Sequence, residues 1–303
     1  VCTSNKELVA NHGAELLRLA RENRCNYFFE ASVGGGIPII RPINDCLTAE
    51  RIVEVSGILN GTTNYILTKM EQEGMLFEEA LGQAQALGYA ERNPEADVEG
   101  YDACRKIAIL TSLVAGKTVD FHKIHTEGIT GIDPTDFAYA KKLDATIKLL
   151  AVSRETEDGY QISVAPYLLK KENALAGVND VFNAVCVRGS AVGEVLFAGP
   201  GAGRYPTASA VVGDIIDIVK NPGRMQPAGW EACAEKPAAF SQFHARFYIR
   251  VPESEKEAME RQLGKITWLP ARAGYLAGIT APIEAGRAVG ASPRPASAWP
   301  IFE

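Results

Sequence analysis

The sequence has no run of about 18 or more apolar residues, so no helical membrane span is expected. It has no C-x-x-C pair. Cys2, Cys25, Cys46, Cys104, Cys186 and Cys233 are scattered, which argues against a zinc site or a disulfide framework. Scattered free thiols fit a reducing, cytoplasmic compartment. Basic side chains are not in surplus: 31 Lys and Arg against 37 Asp and Glu give a net charge of −6. A broad nucleic-acid footprint is therefore disfavoured, while phosphate binding at a small site stays open. The N-terminus shows no basic-then-apolar signal pattern and no initiator Met. Val1 opens on what reads as a strand end, so the chain is expected to begin inside a domain.

What is present is an ordinary globular composition. Of 303 residues, 47% are hydrophobic and 22% charged, enough to bury a core without staples. That excludes disorder throughout, collagen and a disulfide miniprotein. The length fits one large domain or two to three smaller ones.

Apolar spacing at Leu8, Leu16, Leu17 and Leu19 predicts a helix over 6–22, with a break at Gly13. The aromatic run 26–32 reads as a buried strand, and 52–59 as another. Strand, helix and strand at these lengths predict an α/β sandwich with parallel pairing. Residues 62–115 read as largely helical, with one helix over 77–87 stopped by Gly88 and another over 101–114 starting after Gly100, and 136–151 as a further helix. Strands are predicted at 161–169 and 192–198, a helix at 207–220, and a stop at Asn221-Pro222-Gly223. Residues 223–239 read as a linker and 243–251 as an alternating strand. The stretch 284–303, rich in Ala, Pro, Gly, Ser and Arg, is expected to be poorly ordered.

Four segments could carry chemistry. In 88–106, GYAERNPEADVEGYDACRK, the acids Glu91, Glu95, Asp97 and Glu99 crowd a loop. Asp102 and Lys106 follow four apart, on one helix face. This is either a solvated acidic loop with an i,i+4 ion pair, or a pocket whose carboxylates hold an ammonium and whose lysine donates a proton. GPGAGRYPTA at 199–208 lies between strand and helix, where backbone N–H groups can meet an anion. Arg204 stands where the dinucleotide fingerprint needs its third Gly, so a plain tight turn is an equal reading. EASVGGGIP at 30–38 could hold a hard cation through carbonyls and Glu30, or be a tight strand exit. NGTTN at 60–64 is a helix cap, or a helix start that meets a polar substrate. His122 and His125, without a third ligand, read as ordinary loop histidines.

Taken in order, these segments resemble homoserine dehydrogenase. The resemblance rests on TSNK at 3–6, EASVGGGIPII at 30–40, GILNGTTNYIL at 57–67, the 88–106 segment and GPGAGRYPTASAVVGDI at 199–215, and covers about residues 1–222. It implies NAD- or NADP-dependent interconversion of L-homoserine and L-aspartate 4-semialdehyde, in the synthesis of threonine, methionine and isoleucine from aspartate. Lys106 matches the catalytic lysine, the proton donor to the aldehyde oxygen. Lys6 matches a lysine near the nicotinamide and the reacting oxygen. Glu91 and Asp102 match acids that bind homoserine, Glu91 taking the ammonium, and Asp97 a further acid of that pocket. Gly61 and Thr62 match the helix start beside the substrate. Glu30, Val33, Gly35 and Ile37 match a sodium or potassium site, the last three through carbonyls. Gly203 matches a glycine touching the cofactor.

The fold so implied is a partial Rossmann-type nucleotide-binding domain plus an α+β catalytic and dimerisation domain. Residues 1–32 would be a remnant of the former, 33–198 the homoserine-binding domain and 199–222 a return segment. After the linker at 223–239, residues 240–303 would be a partial or degenerate ACT-like segment with a disordered tail. The family's opening strand, G-x-G-x-x-G turn and helix are absent, on the order of 100 residues. The chain alone is therefore expected to bind cofactor poorly, and feedback control by an amino acid is not expected. The expected partners are the small-molecule substrate and a second copy, as homodimer or homotetramer, with no nucleic acid or membrane. Two rivals stand beside this reading. One is a thiolate-dependent aldehyde dehydrogenase of the aspartate-semialdehyde kind using Cys104. The other is a non-catalytic partner or regulatory subunit.

Overall fold

A computed structural model describes residues 1–225 and 229–303. Helix α1 (Lys6–Glu22) starts at Asn5, whose side chain accepts from Leu8 N. It runs unbroken through Gly13. Glycine is needed there for space: a Cβ at that position would sit 2.3 Å from the Trp230 ring. Residues 26–32 are buried but are not the strand expected. Phe28 makes one isolated parallel bridge to Cys2, and Glu30–Ser32 is a 3₁₀ turn. Its ladder partners among the described residues are only Val1 and Thr3, too few to hold a strand.

Strand β1 (Ile52–Ile58) leads into α2 (Gly61–Glu73), followed by α3 (Phe77–Ala86), the short α4 (Glu95–Val98) and α5 (Tyr101–Ala115). The strands β2 (Lys117–Val119) and β3 (His125–Thr126) precede α6 (Pro134–Lys142). The helix expected over 136–151 ends there: Asp144 takes a positive φ, and β4 (Ala145–Thr156) begins. Its apolar run is a fully buried strand, which periodicity cannot tell from a buried helix. Then come β5 (Gly159–Lys170), β6 (Phe182–Gly189), β7 (Gly193–Pro200) and α7 (Arg204–Lys220). The pattern had not shown β6.

Apart from β2, these strands belong to one sheet, and its pairing is mainly antiparallel rather than parallel. Strand β1 lies between β4 and β6, antiparallel to both, with Gly57 opposite Ala151 and Ile58 opposite Ala184. Hairpin connections make β4–β5 and β6–β7 antiparallel by necessity. The helices α2 and α5 cover one face of this sheet, where Ile66, Leu67, Ile107 and Leu110 are buried.

The expected linker is also structured in part. Residues 226–228 lie outside the described ones. Beyond them Trp230 is buried, packed edge-on to Phe29, and β8 (Glu231–Glu235) pairs in parallel with β2. After β9 (His244–Ala245) come β10 (Phe247–Pro252), α8 (Lys256–Leu263), β11 (Ile266–Trp268) and β12 (Tyr275–Thr280). Then β13 (Ile283–Glu284), α9 (Ala285–Val289) and β14 (Ser297–Phe302) close the chain. Leaving aside the small β9–β13 pair, this is a βαββαβ unit with strand order β11-β12-β10-β14, the ferredoxin-like arrangement. The segment expected to be partial and to end in a disordered tail is thus a complete unit. It has its own core of Phe247, Ile249, Val251, Met259 and Leu263. The composition of 284–303 misled because a small strand of mixed residues is stabilised by its neighbours. Strand β14 joins the unit to the central sheet, pairing in parallel with β5 and giving ten strands in all.

The two parts are also tied by a buried ion pair. Asp136, an N-terminal residue of α6, accepts from Arg250 Nε at 2.7 Å and Nη2 at 3.2 Å. The same carboxylate accepts from Tyr248 Oη and Ser297 Oγ. Burial pushes the Tyr248 hydroxyl far up, so it remains a neutral donor at any ordinary pH.

Candidate active site

Leu59 and Asn60 carry the chain from β1 into α2. Asn60 is the helix cap: its Oδ1 accepts from Thr63 N at 2.8 Å. That leaves its Nδ2 free to donate elsewhere. It donates to Asp97 Oδ1 at 2.6 Å and to Asp102 Oδ2 at 2.9 Å. One side chain therefore starts the helix and gathers two carboxylates from α4 and α5.

Asp102 and Lys106 sit one turn apart on α5. They are not a solvated surface pair, since they are only 3% and 8% exposed. Lys106 Nζ donates to Asp102 Oδ2 at 2.6 Å and to the Leu59 carbonyl at 2.6 Å. Lys6, the first residue of α1, ion-pairs with the other oxygen of Asp102. Burial alone would push the Asp102 carboxyl up. The ammonium groups of Lys106 and Lys6 outweigh it and hold the carboxyl well below the usual range, so it is ionised. Asp97 goes the other way: burial raises it, and the Asn60 amide offsets this only in part.

Beside this cluster, Thr62 Oγ1 donates to the Tyr89 carbonyl at 2.6 Å, tying α2 to the acidic loop. Glu91 does not join the cluster. It is exposed, and among the described residues its carboxylate makes no hydrogen bond or ion pair. Lys106, Asp102, Asp97, Lys6, Gly61 and Thr62 are thus brought together, and Glu91 stands apart on the rim. Asn60 was legible only as a cap. No local signal says that its amide reaches residues 37 and 42 positions on.

The loop at 33–37 and the glycine loop at 199–203 lie back to back. Gly36 N donates to Pro200 O at 3.1 Å, and a Cβ on Gly35 would meet the Gly201 carbonyl at 2.4 Å. Gly203, at φ +109°, caps α7 without a side chain, so the first amides of that helix are open to an anion such as a phosphate. The Glu30 carboxylate is already engaged: it accepts from the backbone N–H groups of Ile39, Ile40 and Arg41 at 2.6–2.9 Å. The backbone carbonyls of Val33, Gly35 and Ile37 accept no backbone hydrogen bond among the described residues. Asp214 of α7 accepts from Glu30 N and Arg41 Nη2. Burial and the nearby Glu30 carboxylate push it up to about 6, with Arg41 pulling back.

Cys104 faces away from the cluster and its Sγ donates to the Phe121 carbonyl at 3.4 Å. Burial raises its thiol, the opposite of what a nucleophilic thiolate needs. His122 and His125 gather no metal set, and no group of three metal-ligating side chains occurs among the described residues. No helix among them is long and apolar enough to cross a membrane.

The chain resembles known proteins in sequence and in fold. The homoserine dehydrogenase family model matches residues 38–216. The homoserine dehydrogenase of Bacillus subtilis (strain 168) is 48% identical over 221 residues, 73% of this chain and 51% of that protein. The chain thus spans about half the length of such curated relatives. A crystal structure of a homoserine dehydrogenase from Thiobacillus denitrificans superposes with a TM-score of 0.89 and 32% identity, over 100% of this chain and 76% of that one. A hyperthermophilic archaeal homoserine dehydrogenase in complex with NADPH gives a TM-score of 0.63 at 36% identity, over 73% of this chain and 65% of that one.

Proposed function

This chain belongs to the homoserine dehydrogenase family, and from that premise we propose that it interconverts L-homoserine and L-aspartate 4-semialdehyde with a nicotinamide cofactor. The observation that carries the proposal is the setting of Lys106. An ammonium has three N–H donors. Among the described residues two are taken, by Leu59 O and Asp102 Oδ2, and the third is left for a substrate oxygen.

A bound nicotinamide would supply the hydride. As the aldehyde becomes an alcohol, negative charge grows on its oxygen, and Lys106 gives up its proton there. Asp102, ionised and shared with Lys6, holds the lysine in place. In the reverse direction Lys106 accepts the hydroxyl proton. Asp97 and Glu91 would hold the α-ammonium, with Glu91 closing from the rim. Gly61 and Thr62, at the start of α2, offer backbone N–H groups to the α-carboxylate. Lys6 and Gly203 would meet the cofactor, the latter at the open N-terminus of α7. The carbonyls of Val33, Gly35 and Ile37 would hold a monovalent cation that stiffens the loop behind Gly201.

The full-length protein should reduce NADP or NAD only when homoserine is supplied. Absence of homoserine-dependent reduction would favour the non-catalytic reading instead. Replacing Glu91 with leucine should mainly weaken homoserine binding, by about tenfold for one lost charged contact, with kcat largely kept. An unchanged KM would remove Glu91 from the ammonium site. Replacing Cys104 with serine should leave turnover within about twofold, since no step uses the thiol. A severe loss would revive the thioester rival.

A further inference from the structure

One buried side chain at the seam between the glycine loop and α2 has no role in the foregoing chemistry. Asn183, the second residue of β6, is 1% exposed. Both of its carboxamide atoms, Oδ1 and Nδ2, are buried without a hydrogen-bond partner among the described residues. Buried amides are normally paired, because an unpaired one loses its hydration for nothing.

Its position is specific. It lies opposite Gly199 in the β6–β7 pair. The β1–β6 register, with Ile58 opposite Ala184, places Leu59 beside it. That is the residue whose carbonyl holds Lys106. Two glycines make room for the amide. A Cβ on Gly201 would fall 2.1 Å from Asn183 Cγ and Nδ2, and one on Gly61 would fall 3.3 Å from Oδ1. Neither glycine has a positive φ, so the need is for space and not for an unusual backbone. The side of approach is the glycine loop, where the residues directly after Gly201, from Ala202 to Arg204, are exposed.

The unpaired atoms define the ligand group. A carboxylate would satisfy only Nδ2, and an ammonium only Oδ1. A primary carboxamide offers a donor and an acceptor side by side and satisfies both. We propose that Asn183 binds the carboxamide of the nicotinamide ring through a reciprocal pair of hydrogen bonds, and so orients the ring toward the substrate held at Lys106. This rests on the homoserine dehydrogenase reading above.

The test is cofactor binding to the full-length protein, followed by NADPH fluorescence. The wild type should bind NADPH about tenfold tighter than the reduced 3-acetylpyridine analogue, which keeps the carbonyl but lacks the amide NH₂. Asn183→Leu, close to Asn in size, should lose about tenfold for NADPH and lose the discrimination. Its affinity for 2′-phospho-ADP-ribose, which has no nicotinamide, should stay unchanged. An equal loss for both ligands would mark Asn183 as merely structural and overturn the proposal. So would a wild type that does not distinguish the two reduced cofactors, a comparison that needs no variant to fold. A wild type that binds no NADPH and oxidises no homoserine would instead overturn the functional reading itself, and the proposal with it.

Discussion

Lys106→Ala should lower kcat and kcat/KM together by roughly 2–4 kcal/mol of barrier, about 30- to 1,000-fold, the scale of a lost general acid. The fold should survive, because Asp102 keeps Lys6 and Asn60 as partners. Lys106→Arg should not rescue turnover: a guanidinium keeps the charge but does not release its proton near neutral pH. Near-normal turnover in either variant would contradict the role assigned to Lys106.

The same substitution has a consequence in acid. The Asp102 carboxyl is held below its ordinary value by two ammonium groups. Its contribution to stability is therefore present above about pH 4, the unfolded value, and is lost as pH falls toward the lower folded value. Removing one ammonium raises the folded value and shrinks that contribution. The acid-unfolding midpoint of Lys106→Ala should move to higher pH than that of the wild type, read by circular dichroism across pH 2–6. An unmoved midpoint would mean that Lys6 and Asn60 alone carry the carboxylate.

Asp136→Ala should destabilise the protein by about 3–5 kcal/mol, the largest stability effect expected, because it strands the buried Arg250 charge. It also removes the acceptor for Tyr248 and Ser297 and half of the capping box that starts α6. A double variant, Asp136→Leu with Arg250→Met, should recover much of that loss, since replacing a whole buried pair with apolar side chains is often nearly neutral. Denaturant unfolding measures both. A loss below about 1 kcal/mol for Asp136→Ala would show that β14 and the packing around it hold the βαββαβ unit without help from the ion pair.

Much of the site was legible in the residues, and the reasons are local. Asn5 and Asn60 each bond an amide three positions on, so their helix starts are written within one turn. Asp102 and Lys106 share a face by the helical repeat alone. The buried strand β4 was not legible, because a continuous apolar run has neither period. The unit from β10 to β14 was hidden for another reason: its short strands depend on pairing with each other and with β5.

Residue types and near-neighbour spacing were enough to establish the helices around the site, their caps, and the acids and lysines available to it. Only the tertiary structure decided that Asn60 bridges Asp97 and Asp102, that Glu91 stands at the rim and that, among the described residues, Lys106 keeps one donor free and Asn183 is buried unpaired. The physical reason is distance along the chain. A cap or an i,i+4 pair spans a single turn, whereas Lys106 meets Leu59 across 47 residues and Asp136 meets Arg250 across 114. Such contacts form only when the sheet sets its register, and that register belongs to the packed whole.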